Sequence, residues 1–416
     1  MQRFFTKEFI LPNLLVLSMV SHWLLPEGIE QKLYLHVFDL VFYLPDICYF
    51  IYMVFYSEFY GDIKPFEISK NKKGLIVFGV LFSCLMLLTN YGISALGDTI
   101  NILINNFTIF YAFYLFFYYP LPPSELDKTK YLLTFALVVI SLEIILFSMG
   151  ILSYTSEVTG TDLTDGGFET GGIFRISTTI GAATGSAMVV LLLGIVCTSC
   201  FIYSKYIQLT LLFLTTIAIF FSISRGSIIV WSFYLVVYLY KNYLSGGFNE
   251  RKLIAIIIIC TFAVYAFQHG ILDPLIERQS RLNDNNNILA NRDEKFDMAL
   301  QIIKESNYLG IGSGMIRPDK ALIGSINKMY SFSPHNTYLL LLGELGIVGI
   351  LCLLGIYWSI IKNLDYSKIY AMTIPVMLLV TFNTEIFILE QQCFPMFALL
   401  LLYSYKYNQE ESYQFL

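Results

Sequence analysis

The sequence predicts an all-α integral membrane protein, a polytopic bundle of about twelve transmembrane helices with one long loop on the outer side. Three observations carry this prediction. Of 416 residues, 56% are hydrophobic and only 14% are charged, against roughly 25% charged in a soluble domain, so there are too few charges to cover soluble domains of this size. Apolar runs close to the roughly 20 residues that cross a bilayer recur between charged or Gly/Pro-rich breaks. Lys and Arg are distributed alternately from loop to loop, as cytoplasmic loops require. The same composition excludes other classes. A net charge of −5 with so much apolar material is not that of a disordered chain. The balance of 26 Lys+Arg to 31 Asp+Glu offers nothing for nucleic acid to bind.

The expected spans lie near 9–25, 33–55, 75–90, 100–119, 131–150, 180–203, 206–223, 227–243, 253–271, 336–358, 369–384 and 389–405. Residues 1–150 thus hold five N-terminal spans, and 151–271 hold an outer segment followed by spans six to nine. Residues 272–335 form the long loop, and 336–416 hold spans ten to twelve and a tail. Beginning inside with Arg3 and Lys7, alternate loops carry Lys64, Lys70, Lys72 and Lys73, then Lys128 and Lys130, then Lys205. Lys241, Arg251 and Lys252 follow, then Lys362 and Lys368, then Lys406. The short loops between them carry only Lys32, Arg175 and Arg225. Both termini are therefore expected in the cytoplasm. The first apolar segment carries His22 and Trp23 and no small-residue cleavage site, so it reads as a retained span. All seven cysteines, Cys48, Cys84, Cys197, Cys200, Cys260, Cys352 and Cys393, fall in expected spans and read as small apolar residues. Neither a disulfide framework nor a metal site is expected.

Two outer segments hold most of the remaining polar residues. The first, about 151–179, contains the Gly/Thr/acid stretch Thr159–Gly172. The second, about 272–334, holds eight Lys/Arg and eight Asp/Glu, a balance that suits a folded cap better than a polybasic lipid-binding tail. Within it Asn283–Asn287 reads as an exposed turn. From Arg292, the apolar residues Phe296, Met298, Ala299, Ile302 and Ile303 recur at helical spacing, predicting an amphipathic helix to about Ser306. The glycines of Leu309–Gly314 then end it in a flexible turn. Such a helix can lie on the membrane face as a lid over a cavity, or serve only as a cap on its own protein.

The groups that could carry chemistry gather where spans meet the outer side. Arg225, in Ser224-Arg225-Gly226, sits in the tight junction between spans seven and eight, where a charge is costly unless it is paired, functional or snorkelling to headgroups. Arg175 precedes span six. Arg292 opens the cap helix, where a cation opposes the helix dipole and is not there for capping. Converging arginines would suit phosphate, which their planar fork binds in bidentate fashion. His335 lies where the loop meets span ten and titrates near neutral pH, which makes it a candidate general base; a hydrogen-bonded interfacial histidine is the plainer alternative. Gly343, Gly346 and Gly349 read as a surface for close helix approach. Glu344, between them, could bind acceptor hydroxyls or pair internally.

These residues form a recognisable pattern. Ser333-Pro334-His335-Asn336-Thr337-Tyr338-Leu339, continued by Leu342-Gly343-Glu344-Leu345-Gly346-Ile347-Val348-Gly349, resembles the His-Asn-x-Tyr-Leu…Glu-x-Gly-x-x-Gly signature of the bacterial O-antigen ligase/polymerase family. Ser224-Arg225-Gly226 resembles its Ser-Arg-Gly/Ala element. Arg292 with Ala299 and Gly310-x-Gly312 is similar to its Arg…Ala-Leu…Gly-x-Gly loop, and Arg175 with Gly181 and Gly185 to the region before its middle span. Arg278, Arg281 and Arg317 are further arginines in the long loop. The resemblance covers roughly residues 170–360.

It implies a metal-independent, GT-C-like membrane glycosyltransferase of the bacterial inner membrane, with no cofactor and its active site on the periplasmic face. The donor would be a glycan on undecaprenyl diphosphate. Arg225, Arg292 and Arg175 would hold the diphosphate and stabilise its developing charge. His335 would take the proton of the attacking hydroxyl, with Asn336, Tyr338 and Glu344 towards the acceptor. His335, Arg225 and Arg292 are thus the catalytic candidates. The acceptor would be another lipid-linked repeat unit for an O-antigen or capsule polymerase, or lipid A-core for an O-antigen ligase. The polymerase is preferred here, because the 30 Tyr and 35 Phe resemble the composition of low-GC surface-polysaccharide proteins. Membrane lipids are partners in either case, and a chain-length regulator is a further partner left open. A lipid-linked glycan transporter or flippase is the reading from another class. His36, Asp39, Asp46 and Glu143, within expected spans, favour it; the absence of repeated halves and the gathering of cations at one face oppose it.

Overall fold

The computed structural model describes residues 7–24, 127–148, 183–201, 203–222, 224–244, 292–312 and 336–384. It also describes shorter pieces within 35–58, 77–85 and 397–404, and residues 151 and 316. The described chain is helical apart from one small hairpin. In order, the elements are α1 (Lys7–Leu24), β1 (Leu35–Val37), β2 (Leu40–Phe42), α2 (Lys130–Ser148), α3 (Ala183–Ser199), α4 (Lys205–Phe221) and α5 (Arg225–Leu239). After α5 come a π-helical turn (Tyr240–Leu244), α6 (Arg292–Glu305), α7 (Thr337–Asn363) and α8 (Ile369–Thr384).

The expected spans at 9–25, 131–150, 180–203, 206–223, 227–243, 336–358 and 369–384 are helices. Helical residues also occur within 77–85 and 397–404. The expected spans at 100–119 and 253–271 lie outside the described residues. Among the described residues, two helices, α2 and the 27-residue α7, are long and apolar enough to cross a membrane, and α3, α4 and α8 contain shorter apolar helices.

The segment 33–55 departs from expectation. Leu35, His36 and Val37 pair with Phe42, Val41 and Leu40 in an antiparallel hairpin instead of continuing a helix. Val and Phe favour extended backbone. His36 therefore lies in a strand, not in a spanning helix; Asp39 and Asp46 lie outside the described residues.

The bundle is built around α3. Its sequence has no charge and no polar face, so it can be stable only if surrounded. Ser186 to Thr198 are accordingly buried on every side. Helices α2, α4, α5 and α8 pack against it. At Gly194 an added Cβ would lie 2.4 Å from Thr215 Cγ2 and 3.2 Å from the Trp231 ring, so the missing side chain sets the spacing to α4 and α5. Several buried hydroxyls return to their own helix or bridge to a neighbour, as an apolar interior favours. Thr215 donates to Leu211 O at 2.7 Å, and Trp231 Nε1 donates to Thr216 Oγ1 at 3.0 Å. The Tyr234 hydroxyl meets those of Thr198, at 2.7 Å, and Ser199.

Cross-helix contacts give the bundle two chemically different ends. At one, Tyr203 just before α4 donates to Lys130 O at 3.1 Å, with the Lys130 ammonium 5.9 Å from the Tyr203 ring. At the same level Lys241 donates to Ser367 O, and Lys368 lies 3.9 Å from Asp365. Since α5 ends where α8 begins, the two run antiparallel. The start of α5 therefore lies with the end of α8. There Tyr338, in the first turn of α7, donates to Leu378 O at 3.2 Å. Arg225 and the start of α7 thus share the end of the bundle opposite Lys130, Lys241 and Lys368.

Replacing Gly194 by leucine is expected to destabilise the bundle by about 1–3 kcal/mol through overpacking. The check is a lower thermal midpoint for the purified full-length protein in detergent than for wild type.

Candidate functional site

The arginine end is formed first by the joint between α4 and α5. Only Ser222, Ile223 and Ser224 separate the helices, and the serines let the chain reverse inside the bundle. Ser222 Oγ donates to Ile219 O at 2.6 Å, the Ser224 amide donates to Ser222 Oγ at 3.4 Å, and Ser224 Oγ donates to Ser227 Oγ at 3.1 Å. Ser224 is extended, at φ −82° and ψ 106°, and its side chain does not cap the helix. Arg225 is the first residue of α5 and is half-buried. A helix start already carries partial positive charge, so a guanidinium there opposes the dipole by about 0.3–1 kcal/mol, while an anion is favoured by both.

The start of α7 is the second component. Asn336 is its N-cap, accepting from the Leu339 amide through Oδ1 at 3.0 Å, with Thr337 fully buried behind it. Tyr338 stands edge-on to Tyr357, ring centroids 6.3 Å apart. His335 immediately precedes this cap in sequence; it and Arg175 lie outside the described residues. Arg292 opens α6, the predicted amphipathic helix. Ala299, Ile302 and Ile303 form its buried face, whereas Met298, expected to face inward, is 39% exposed. Ala299 and Ile302 pack with Ile316 and Leu340, so the inner face of α6 lies on the first turns of α7.

A break in α7 joins these parts. At Gly346, φ 67° and ψ −163° interrupt the helix, a combination that essentially only glycine adopts. In an unbroken helix the Ile347 amide would donate to Gly343 O and the Val348 amide to Glu344 O. Instead the turn after α6 inserts its backbone. Gly343 O accepts from the Ile311 amide, Glu344 O accepts from the Gly312 amide, and the Ile347 amide donates to Tyr308 O, each at 2.9 Å. The crossing is too close for side chains. A Cβ on Gly310 would lie 2.4 Å from Glu344 O, and one on Gly346 would lie 2.4 Å from Leu309 C. Glu344 itself is 1% exposed, and its Oε1 accepts from the Ile316 amide at 3.0 Å.

Comparison with known proteins bears on this region. Residues 210–354 match the family model described as O-antigen ligase. The matched stretch runs from α4 through the Arg225 joint and α6 to the break in α7, and so contains every described part of the site. This region is O-antigen ligase-like. The match supports a bacterial membrane protein with a ligase or polymerase role in O-antigen assembly, and the apolar helices agree with it. No curated protein matches the chain.

Within this O-antigen ligase-like region, Arg225, Asn336 and Tyr338 lie at one end of the bundle, Glu344 follows about two turns along α7, and α6 begins with Arg292. The contacts given above for Asn336, Tyr338 and Glu344 are internal to the protein. Two glycine readings change. Gly310 and Gly312, expected in a flexible turn, are pinned by the inserted backbone. Gly343, Gly346 and Gly349, expected as a helix-approach stripe, have three separate roles. Gly343 makes room for Ile316, Gly346 is the break, and Gly349 lies against its own helix's Leu345. The sequence reading missed the insertion itself, although its signal was present in the paired Gly-x-Gly and Glu-x-Gly spacings.

Gly346→Ala and Gly310→Ala should each cost roughly 1–3 kcal/mol in backbone strain alone, with overlap added. Both variants are expected to accumulate to less than wild type in membranes and to unfold at lower temperature. The same substitution at exposed positions of α6, such as Gln301→Ala, should leave both measurements unchanged.

Proposed function

We propose that the chain is a membrane glycosyltransferase that moves a glycan from undecaprenyl diphosphate to an acceptor hydroxyl at the periplasmic face, polymerising O-antigen or capsule repeat units. The observation that carries the reading is the position of Arg225. It is a half-buried cation on a helix start, at the same end of the bundle as the cap that His335 precedes. In this reaction the acceptor oxygen attacks the anomeric carbon, the bond from that carbon to the diphosphate breaks, and His335 takes the hydroxyl proton. Negative charge builds on the departing diphosphate, where Arg225, with Arg292 and Arg175, stabilises it. Guanidinium groups fill the role that a metal ion has in other phosphate-releasing sites. The lysine end faces the cytoplasm in this reading, with both termini on that side.

Ligation to lipid A-core is the second reading, favoured by the description of the matching family as O-antigen ligase. The two differ only in the acceptor, and gel analysis of surface glycans in a deletion strain separates them. Single repeat units capped on the core indicate a lost polymerase, and long chains stranded on the lipid carrier a lost ligase.

Complementation of that strain tests the residues. Arg225→Ala and His335→Ala are each expected to lower glycan transfer by about 10²–10³-fold, the scale for removing one transition-state donor. Arg225→Lys should recover little, because an ammonium lacks the bidentate fork. Wild-type glycan profiles from the Arg225→Ala, His335→Ala double variant would refute the assignment.

A further inference from the structure

The buried carboxylate of Glu344 has no part in the reaction as written above, yet it is fixed more closely than any other acidic group described at this end. Its Oε1 accepts from the Ile316 amide at 3.0 Å, while its own carbonyl accepts from the Gly312 amide at 2.9 Å. One residue of α7 therefore holds the outgoing chain of the cap at two points. Ile316 is fully buried against Ala299, Ile302 and Leu340, and its Cδ1 occupies the space that a Cβ on Gly343 would need. Ile316 is thus the point where the outgoing chain of the cap, the inner face of α6 and the first turns of α7 meet.

We infer that Glu344 is a positioning residue, whose carboxylate fixes the chain at Ile316 and so holds α6, the helix that Arg292 opens, at a set place on the first turns of α7. The inference rests on the reading of Arg292 given above. It assigns Glu344 a hydrogen-bonding role towards backbone, not contact with an acceptor hydroxyl. A buried backbone amide without its acceptor is expensive, so losing the carboxylate should release Ile316 locally while leaving the bundle core around α3 in place. Charge is not required for this task. An amide oxygen in the same position accepts the same hydrogen bond.

Hydrogen–deuterium exchange on the full-length protein in detergent, combined with glycan transfer per membrane-resident molecule in the complemented deletion strain, tests this. Glu344→Ala is expected to raise exchange at residues 308–316 at least tenfold, leave exchange in α3 and α4 unchanged, and lower transfer at least tenfold. Glu344→Gln should retain both protection and transfer. Ile316→Pro removes the donor without altering α7, should behave like Glu344→Ala, and decides the matter if that variant does not accumulate. Unchanged exchange at 308–316 in Glu344→Ala, or in Ile316→Pro where that variant decides, overturns the inference. Protection retained with transfer lost in Glu344→Gln overturns it in favour of direct contact with the acceptor. The exchange measurement does not depend on the reaction. Should Arg292→Ala leave transfer intact, that reading fails while the exchange result still reports on the anchor.

Discussion

The arrangement of the arginine end depends on an exchange of backbone hydrogen bonds at Gly346. A helix broken in an apolar environment exposes carbonyls and amides that water cannot reach, each costing several kcal/mol if left unmet. The break in α7 releases the carbonyls of Gly343 and Glu344 and the amide of Ile347, and the turn after α6 meets all three. Neither partner is complete alone. The turn holds positive φ at Asn307, Tyr308, Gly310 and Gly312; glycine and asparagine tolerate it, while at Tyr308 it is unfavourable and is held by the hydrogen bond from Ile347 to the Tyr308 carbonyl. The cap is thus tied to α7 by backbone, and side-chain contacts such as Leu340 with Ala299 follow from that crossing.

The same break divides the duties of α7. Leu340 before it packs on the cap, while Leu353, Ile356 and Ile360 after it belong to the main core. Leu341 and Leu345, on the other face of the first turns, also reach the main core, so those turns lie between cap and bundle. Any displacement of the cap must therefore act on the segment that Asn336 caps. Directly beneath, Tyr338 is tied to Leu378 of α8. A start to α7 held by hydrogen bonds, at the same end of the bundle as the α4–α5 joint, is the kind of support that a transfer site needs, since small misplacements of reacting groups cost large factors in rate.

Helix α6 was legible in the sequence because its period of apolar residues is a local property, and Arg292–Glu305 agrees with the expected limits within a residue or two. The bundle helices were legible for the same reason: α2, α3, α4, α5, α7 and α8 are set by length and apolarity. The hairpin at Leu35–Phe42 was not, since a short run rich in Leu, Val and Phe satisfies the length and apolarity of a span and of a strand pair alike. The latch was hidden for a different reason. Glycines spaced by three along an apolar helix read equally as a packing stripe or a break, and only the partner backbone decides between them. That partner, Tyr308–Gly312, lies more than thirty residues earlier in the chain, beyond the reach of any periodicity. Among the proposed site residues, Arg225 stood out because a charge is rare in so apolar a chain, whereas the anchoring of Glu344 depends on Ile316 and left no mark in composition.

The two arginines that open helices are not equivalent, and charge in the first turn separates them. In α6, Arg292 is followed at once by Asp293 and Glu294, residues that complement the helix dipole and leave that turn net negative. In α5, Arg225 is followed by Gly226 and Ser227, and the first turn carries no acidic residue. In the proposed reaction the guanidinium and the helix end of α5 therefore offer a diphosphate positive charge with no acidic residue in the same turn. The first turn of α6 instead carries two acidic residues beside its arginine. In the proposed reaction Arg225 is accordingly the stronger anion contact of the two, and the part that Arg292 takes depends on how firmly the cap is held to α7.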